Sequence, residues 1–273
     1  MKYGFVLPRG DARIAANYAR EAEQAGWDGF FVWDPVWGID PWVALSAAAM
    51  LTDHIRLGTM LTPPSRRRPW KLAGETATLD NLSGGRLILS FGLGATDTGF
   101  DEFGEITDRK ERAELMDECL DILTGLWRGQ PFSYQGKHYI VKPTKFFVPP
   151  PPVQQPRIPI WIVGAWGYPK SMKRALKYDG LLPAMKDNKG MWRTLKPADI
   201  QEILPYIRDN RKETTPFDIV VEGVTPGEDR EKAAISVQPW IEAGATWWIE
   251  GMRDAPDLKS VLNRIRQGPP WKS

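Results

Sequence analysis

The sequence predicts a closed (β/α)8 barrel of the TIM type. Two observations carry that expectation. Eight short apolar runs alternate in strict order with eight helical patterns, and a chain of 273 residues has the length that one such barrel takes. An open, doubly wound sheet of eight strands is the alternative. Closure is favoured because it leaves no sheet edge to protect.

The strands fall at Tyr3–Leu7, Gly29–Trp33, Ile55–Leu61, Arg86–Phe91, Ile158–Val163, Gly180–Ala184, Asp218–Glu222 and Thr246–Glu250. Most are apolar nearly throughout, as parallel strands covered on both faces are. Their flanks separate them from buried helix. The first helix opens at Asp11, carries Ala15, Tyr18, Ala19 and Ala22 at helical spacing, and stops at Gly26. Asp40 caps the second, with Pro41 in the first turn, where a missing N–H costs nothing. Pro69, Pro169 and Pro197 are placed to open the third, fifth and sixth helices in the same way. The fourth, from Asp108 to Arg128, puts Met116, Cys119, Leu120, Leu123, Leu126 and Trp127 on one stripe. Later stripes are Ile200, Ile203, Leu204 and Ile207, then Ala233, Val237, Trp240 and Ile241, then Leu258, Val261, Leu262 and Ile265. Gly85, Gly129, Gly180, Gly244 and Gly268 are expected as helix stops or left-handed positions.

One interval breaks the rhythm. Between the fourth helix and the fifth strand, Gly129–Pro156 reads as a hairpin followed by a proline-rich connector. Phe132–Tyr134 pairs with His138–Val141 about Gln135-Gly136-Lys137, and Pro149 to Pro152 is a stiff polyproline run. This insertion is expected to pack on the barrel, so residues 1–273 are read as one domain.

Composition narrows the function. With 36 basic against 34 acidic residues, the charge balance gives no reason to expect nucleic acid or an anionic membrane as partner. Cys119 is the single cysteine, so neither a disulfide framework nor a cysteine-rich metal site is available. The opening residues are too soon broken by Pro8 to form a signal-peptide core, and no apolar run reaches the ~20 residues of a membrane helix. The expectation is a cytoplasmic enzyme.

In such barrels the active site lies on the loops after the strand C-termini. Only two histidines exist, His54 before the third strand and His138 in the insertion, and neither is at a strand end. A histidine-rich metal site and a Ser-His-Asp hydrolase are therefore excluded. Glu222 and Glu250 end the last two strands and admit a carbohydrate-active reading with two carboxylates. A site otherwise poor in acid–base groups fits chemistry carried by a cofactor that the protein binds and orients. The best anion-site candidate is Gly164-Ala165-Trp166-Gly167, running from an apolar strand into a helix, with Lys186 ending the next strand; a mere tight turn is the alternative. Gly92-Leu93-Gly94 allows close approach of a ligand or only a sharp turn. Trp33, Trp37, Trp166 and Trp192 are candidates to wall an apolar pocket or to pack in the core.

The stretch IRLGTMLTPPSRRRPWKLAGETATLDNLSGGRLILSFGLG, from Ile55 to Gly94, resembles the third and fourth βα units of the bacterial luciferase-like superfamily. EAEQAGWDGFFVWD and DPWVALSAAAMLT resemble its second unit, and PVQQPRIPIWIVGAWGYPKSMKRALKYDG the strand leading to its phosphate loop. The resemblance implies an oxidoreductase or monooxygenase with reduced FMN, or the deazaflavin F420, at the barrel mouth. It implies the ring near Asp34, Leu61, Thr62, Gly92 and Gly94, and the phosphate near Gly164, Ala165, Trp166, Gly167 and Lys186. Asp34 would hydrogen-bond the ring or orient substrate as the catalytic residue; the alternative is a helix cap or an ion pair. A small organic substrate, a separate flavin or F420 reductase and a homodimer belong to the same implication. The chain departs from F420-dependent relatives in two places: Pro35 stands where they carry a histidine, and Ala95-Thr96-Asp97-Thr98 replaces their glutamate and asparagine. These departures favour FMN, although Arg66-Arg67-Arg68 with Lys71 could meet the anionic tail of F420. They also keep open a non-catalytic flavin-binding protein on the same fold.

Overall fold

The computed structural model describes residues 1–144 and 149–270. Eight parallel strands close a barrel: β1 (Lys2–Leu7), β2 (Gly29–Val32), β3 (Arg56–Thr59), β4 (Leu87–Phe91), β7 (Ile160–Ala165), β8 (Gly180–Lys186), β10 (Asp218–Gly223) and β11 (Trp247–Gly251). Pairing runs β10-β11-β1-β2-β3-β4-β7-β8, and Asp218 and Ile219 of β10 meet Gly180 and Leu181 of β8 to complete the ring. Each strand leads to a helix: α1 (Ala12–Gln24), α2 (Pro41–Ala49), α3 (Pro69–Leu82), α4 (Arg109–Trp127), α5 (Pro169–Ala175), α6 (Pro197–Asn210), α7 (Arg230–Glu242) and α8 (Leu258–Gln267). No helix among the described residues is long and apolar enough to cross a membrane.

The helix starts obey local chemistry. Asp11, Asp40, Asp108, Asp229 and Asp257 accept backbone N–H groups of their own first turns. Pro41, Pro69, Pro169 and Pro197 occupy first-turn positions. At the bottom of the barrel, Ser83-Gly84-Gly85-Arg86 turns α3 into β4. Gly84 (φ +65°) and Gly85 (φ +82°) supply left-handed backbone. The buried Arg86 then donates to the carbonyls of Ala49, Thr52, Ile55 and Ser83. This corner is the LSGGR peptide, and its work is architectural.

The barrel lumen is filled, not hollow. Phe31, Trp161 and Trp247 meet ring to ring, with centroids 5.2–6.1 Å apart, among Val6, Met60, Ile88, Val220 and Ile249. Glycines make the room. A Cβ on Gly4 or Gly29 would lie 2.7 Å from the Phe31 ring, and one on Gly58 2.9 Å. Gly180 belongs to this set and is not the left-handed stop that the sequence suggested. It is the first residue of β8, and a Cβ there would run into the Trp161 indole.

The insertion is a hairpin, β5 (Phe132–Gln135) with β6 (Ile140–Thr144), docked on α4. Glu118 accepts the N–H groups of Lys137, His138 and Tyr139, and Gly125 leaves space for the Phe132 ring. Residues 145–148 of the expected insertion lie outside the described residues, as do 271–273. Two short pieces were not anticipated: a 3-10 turn at Pro64–Arg66, and β9 (Trp192–Arg193), which pairs antiparallel with the end of β8.

On the outer face of β11, Glu250 is fully buried. It accepts from the Thr225 N–H (2.7 Å), the Thr225 hydroxyl (2.8 Å), the Trp248 indole (3.1 Å) and Arg264 of α8 (3.3 Å). Removing one partner of such a pair strands the other charge, which costs about 3–5 kcal/mol. Glu250→Ala is expected to lower the melting temperature by on the order of 10 °C. A shift of only a degree or two in thermal unfolding would show that Arg264 finds other partners.

Candidate active site

At the C-terminal end of the barrel the inward positions of the strands become accessible. Trp33, Leu61, Val163, Leu182 and Ala184 are partly exposed, although the same strands are buried lower down. They form an open mouth above the aromatic plug. Gly92 sits in its wall, where a Cβ would press on Leu61 (2.8 Å) and Val163 (3.0 Å). The Met60–Leu61 peptide is cis. Thr62 is fully buried; its hydroxyl pairs with that of Thr59 (3.0 Å), and its N–H donates to the Ser90 carbonyl. Thr62 therefore supports the wall from behind. Gly94 adopts φ +77°, and its carbonyl, like that of Leu93, accepts from the buried Arg112 guanidinium. This is the sharp-turn alternative for that glycine.

The loop after β7 separates into packing and open parts. Gly164 is a contact glycine whose Cβ would collide with Leu181 and crowd Met172. The Ala165 N–H is taken by the Ser171 hydroxyl, and the Trp166 N–H by the Ala184 carbonyl. The Trp166 indole points to α6, donating to Glu202 (2.8 Å) and standing edge-on to Tyr206. Gly167 differs from these. It is exposed, has φ +79°, shows nothing within 4 Å of a Cβ position, and its N–H has no partner among the described residues. Beside it, Tyr168 lies between two cations: the Lys186 ammonium 5.3 Å and the Arg109 guanidinium 4.6 Å from its ring. A hydrogen bond with Lys186 and the two positive charges hold its phenol below the ordinary tyrosine range. Among the described residues, neither cation has a carboxylate partner in an ion pair. Arg109 escaped the sequence reading because nothing in a helix's first residue tells which loop it will face.

Asp34 follows β2 and is buried, with only 2% of its side chain exposed. One carboxylate oxygen pairs with Arg66 (2.9 Å) and Arg67 (2.7 Å); the other is buried without a partner. Arg66 also donates to the Asp34 and Pro35 carbonyls. Two members of the basic run are thus engaged from below, and Lys71 lies 3.7 Å from Glu75. Of the four tryptophans considered as walls, Trp33 lines the mouth. Trp37, 83% exposed, stacks on Phe103, and Trp192 covers Lys186.

The two strand-end glutamates have opposite fates. Strand alternation turns Glu250 outward to Arg264 and Glu222 inward, above Val220 at the top of the lumen. Solvent reaches Glu222 through the mouth while barrel atoms crowd it elsewhere, and this crowding pushes its carboxyl above the usual carboxylate range against the pull of Arg253. Both histidines lie away from the mouth. His138 is 3.0 Å from Glu114, and the His54 N–H donates to Glu23 beside a groove of about 310 Å³ at the opposite, N-terminal end.

Comparison with known proteins fits this architecture. The family model for luciferase-like monooxygenases matches residues 4–262. An uncharacterized protein of Mycobacterium tuberculosis is 30% identical, with 97% of each chain covered. The structure is similar to that of a coenzyme F420-dependent tetrahydromethanopterin reductase from Methanopyrus kandleri, with TM-score 0.78 and 20% identity over 97% of this chain and 96% of that one. It is also similar to the FMN-bound oxygenating constituent of 3,6-diketocamphane monooxygenase from Pseudomonas putida, with TM-score 0.63 and 19% identity over 87% of this chain and 71% of that one.

Two stability outcomes follow from the mouth. Asp34→Ala leaves Arg66 and Arg67 without their counter-ion and is expected to cost about 3 kcal/mol, read from the denaturant midpoint; an unchanged midpoint would argue against a structural ion pair. For Glu222 the folded carboxyl titrates above its unfolded value. Stability therefore falls as pH rises through that interval, where the unfolded chain has already lost its proton. Glu222→Gln should melt higher than wild type near pH 8 and level with it below about pH 4, where both states of Glu222 are protonated. A lower melting point at high pH would contradict the raised carboxyl.

Proposed function

The chain belongs to the luciferase-like monooxygenase family, and from that membership we propose that it is an oxidoreductase working with reduced FMN on a small organic substrate. The observation that carries this reading is the Gly167 loop. An open amide with no partner among the described residues, beside free space and with Lys186 and Arg109 alongside, neither of them in an ion pair among those residues, has the chemistry of a phosphate cradle. Next to it, on β7, β8 and the ends of β3 and β4, Val163, Leu182, Ala184, Leu61 and Gly92 give an apolar wall for a flat ring. The residues present fit the group. When bound, reduced FMN supplies a hydride equivalent or reacts with oxygen.

The protein's part is to hold the phosphate, keep the ring against the apolar side and leave the opposite side of the mouth for substrate. FMN is preferred over F420 on two grounds. Pro35 offers no acid–base group beside Asp34, and the ion pairs of Arg66 and Arg67 with Asp34 occupy two of the cations that could otherwise receive an anionic tail.

Equilibrium titration of the purified protein with FMN and with F420, at low and high salt, tests the reading. FMN should bind the more tightly. Gly167→Val, which fills the open space and strains a left-handed position, and Lys186→Gln should each weaken FMN at least about tenfold, or 1.4 kcal/mol, without loss of folding. Tighter, salt-sensitive binding of F420 would make the deazaflavin the cofactor. Unchanged FMN affinity in both folded variants would take this loop out of the site. Oxidation of bound reduced FMN no faster than that of free FMN, with any organic acceptor offered, would support a non-catalytic flavin-binding protein.

A further inference from the structure

The mouth is chemically divided. The proposed cofactor surface comes from the ends of β3, β4, β7 and β8. Facing it, across the ring of strands, are the ends of β10, β11 and β2, which carry Glu222, Arg253 and Trp33. Arg253 follows β11, and its guanidinium lies 5.4 Å from the centre of the Trp33 ring, a contact that orients a planar cation without consuming its hydrogen-bond donors. Glu222 rises from β10 and lies over Gly251 of the neighbouring strand. A Cβ at Gly251 would be 2.5 Å from its carboxylate oxygen, so this glycine keeps the place that the carboxyl occupies. Neither side chain makes a hydrogen bond or direct ion pair among the described residues. The other inward carboxylate of β10, Asp218, is bound lower down by the Trp161 indole and the Thr246 hydroxyl. Arg112 and Arg264 are both spent on partners. An unpaired guanidinium and an unpaired carboxyl on the substrate side of one open mouth are not explained by folding.

We infer that Arg253 and Glu222 form the substrate half of this site and that its substrate is a small carbonyl-bearing carboxylic acid, with Arg253 holding the carboxylate and Glu222 donating a proton to the carbonyl oxygen. The inference rests on the oxidoreductase reading and goes beyond it in naming the substrate class and the acid. The balance is that of carbonyl reduction. A hydride with its electron pair passes from the reduced flavin-class cofactor to the carbonyl carbon, and the C=O π bond opens. An O–H bond forms with the Glu222 proton, leaving a hydroxy acid, oxidised cofactor and a Glu222 carboxylate that solvent reprotonates through the mouth. Arg253 is the charged group that bears on Glu222, and crowding by the barrel wall raises its carboxyl above the ordinary range, which favours the protonated form that can donate.

The test uses oxamate, a carboxylate with an adjacent carbonyl oxygen, and calorimetry on the cofactor-free protein. Wild type should bind oxamate with an affinity that falls at least about tenfold as pH rises from 5 to 8, because only the protonated Glu222 can donate to the carbonyl. In Glu222→Gln, which donates at every pH, that dependence should vanish. In Arg253→Gln, binding should be weak at all pH values. All three proteins should bind FMN alike. No oxamate binding by wild type, full binding by Arg253→Gln, or an unaltered pH dependence in Glu222→Gln would overturn the inference. Failure of FMN to bind wild type would instead overturn the oxidoreductase reading, and the oxamate measurements would stand apart from it.

Discussion

Everything at the mouth depends on how the lumen is filled. Three large rings, Phe31, Trp161 and Trp247, occupy the lower barrel, and they fit because Gly4, Gly29, Gly58 and Gly180 present bare backbone to them. An interior packed to this density leaves no passage through the barrel, so a ligand can be received only from above. The plug also fixes the strand phase. With Val220 and Ile249 pointing in, Glu222 and Gly251 must point in and Glu250 must point out. One residue of slippage would exchange the two glutamates between core and mouth. Thus the buried Glu250–Arg264 pair and the open Glu222 are two expressions of one register.

The cations sort by the same logic. Arg86, Arg112 and Arg264 are buried and bind carbonyls or a carboxylate that the fold itself presents. Arg66 and Arg67 converge on Asp34. Arg109, Lys186 and Arg253 each pack on an aromatic ring, and among the described residues none has a carboxylate in an ion pair. What these three share is their place: Arg109 and Lys186 flank Tyr168 after β7, and Arg253 follows β11, all at the C-terminal end of the barrel.

Much of the fold was legible in the sequence. Apolar runs, aspartate caps and first-turn prolines are local signals, and each placed its element to within a few residues; the hairpin was announced by Gln135-Gly136-Lys137 between alternating residues. Of the candidate site, the sequence shows the backbone where its signal is local, as in the turn at Gly167, which is written in adjacent residues. Whether Asp34 is free or paired is not written locally, because its two arginine partners lie more than thirty positions away. Glu222 and Glu250 looked equivalent because the sequence shows strand ends but not which face is inward. Gly180 looked like a helix stop because a glycine required by a ring on the next strand is indistinguishable, in one dimension, from a glycine required by its own backbone.

The ring of strands closes through residues far apart in the chain. β1 pairs with β11, Lys2 opposite Trp247 and Val6 opposite Gly251. The first helix and the turn after it are stitched to α8 by Tyr18 donating to Leu258, the Arg266–Glu21 pair, and Trp27 donating to Ile265. On a ribosome, β1 and β2 emerge early and can pair with each other, yet one edge of β1 stays bare until β11 follows, some 240 residues later. At roughly 5–20 residues per second that exposure lasts about 10–50 seconds. The nascent chain spends this time as an open, edge-bearing sheet, the form in which the protein is most in need of a chaperone's cover.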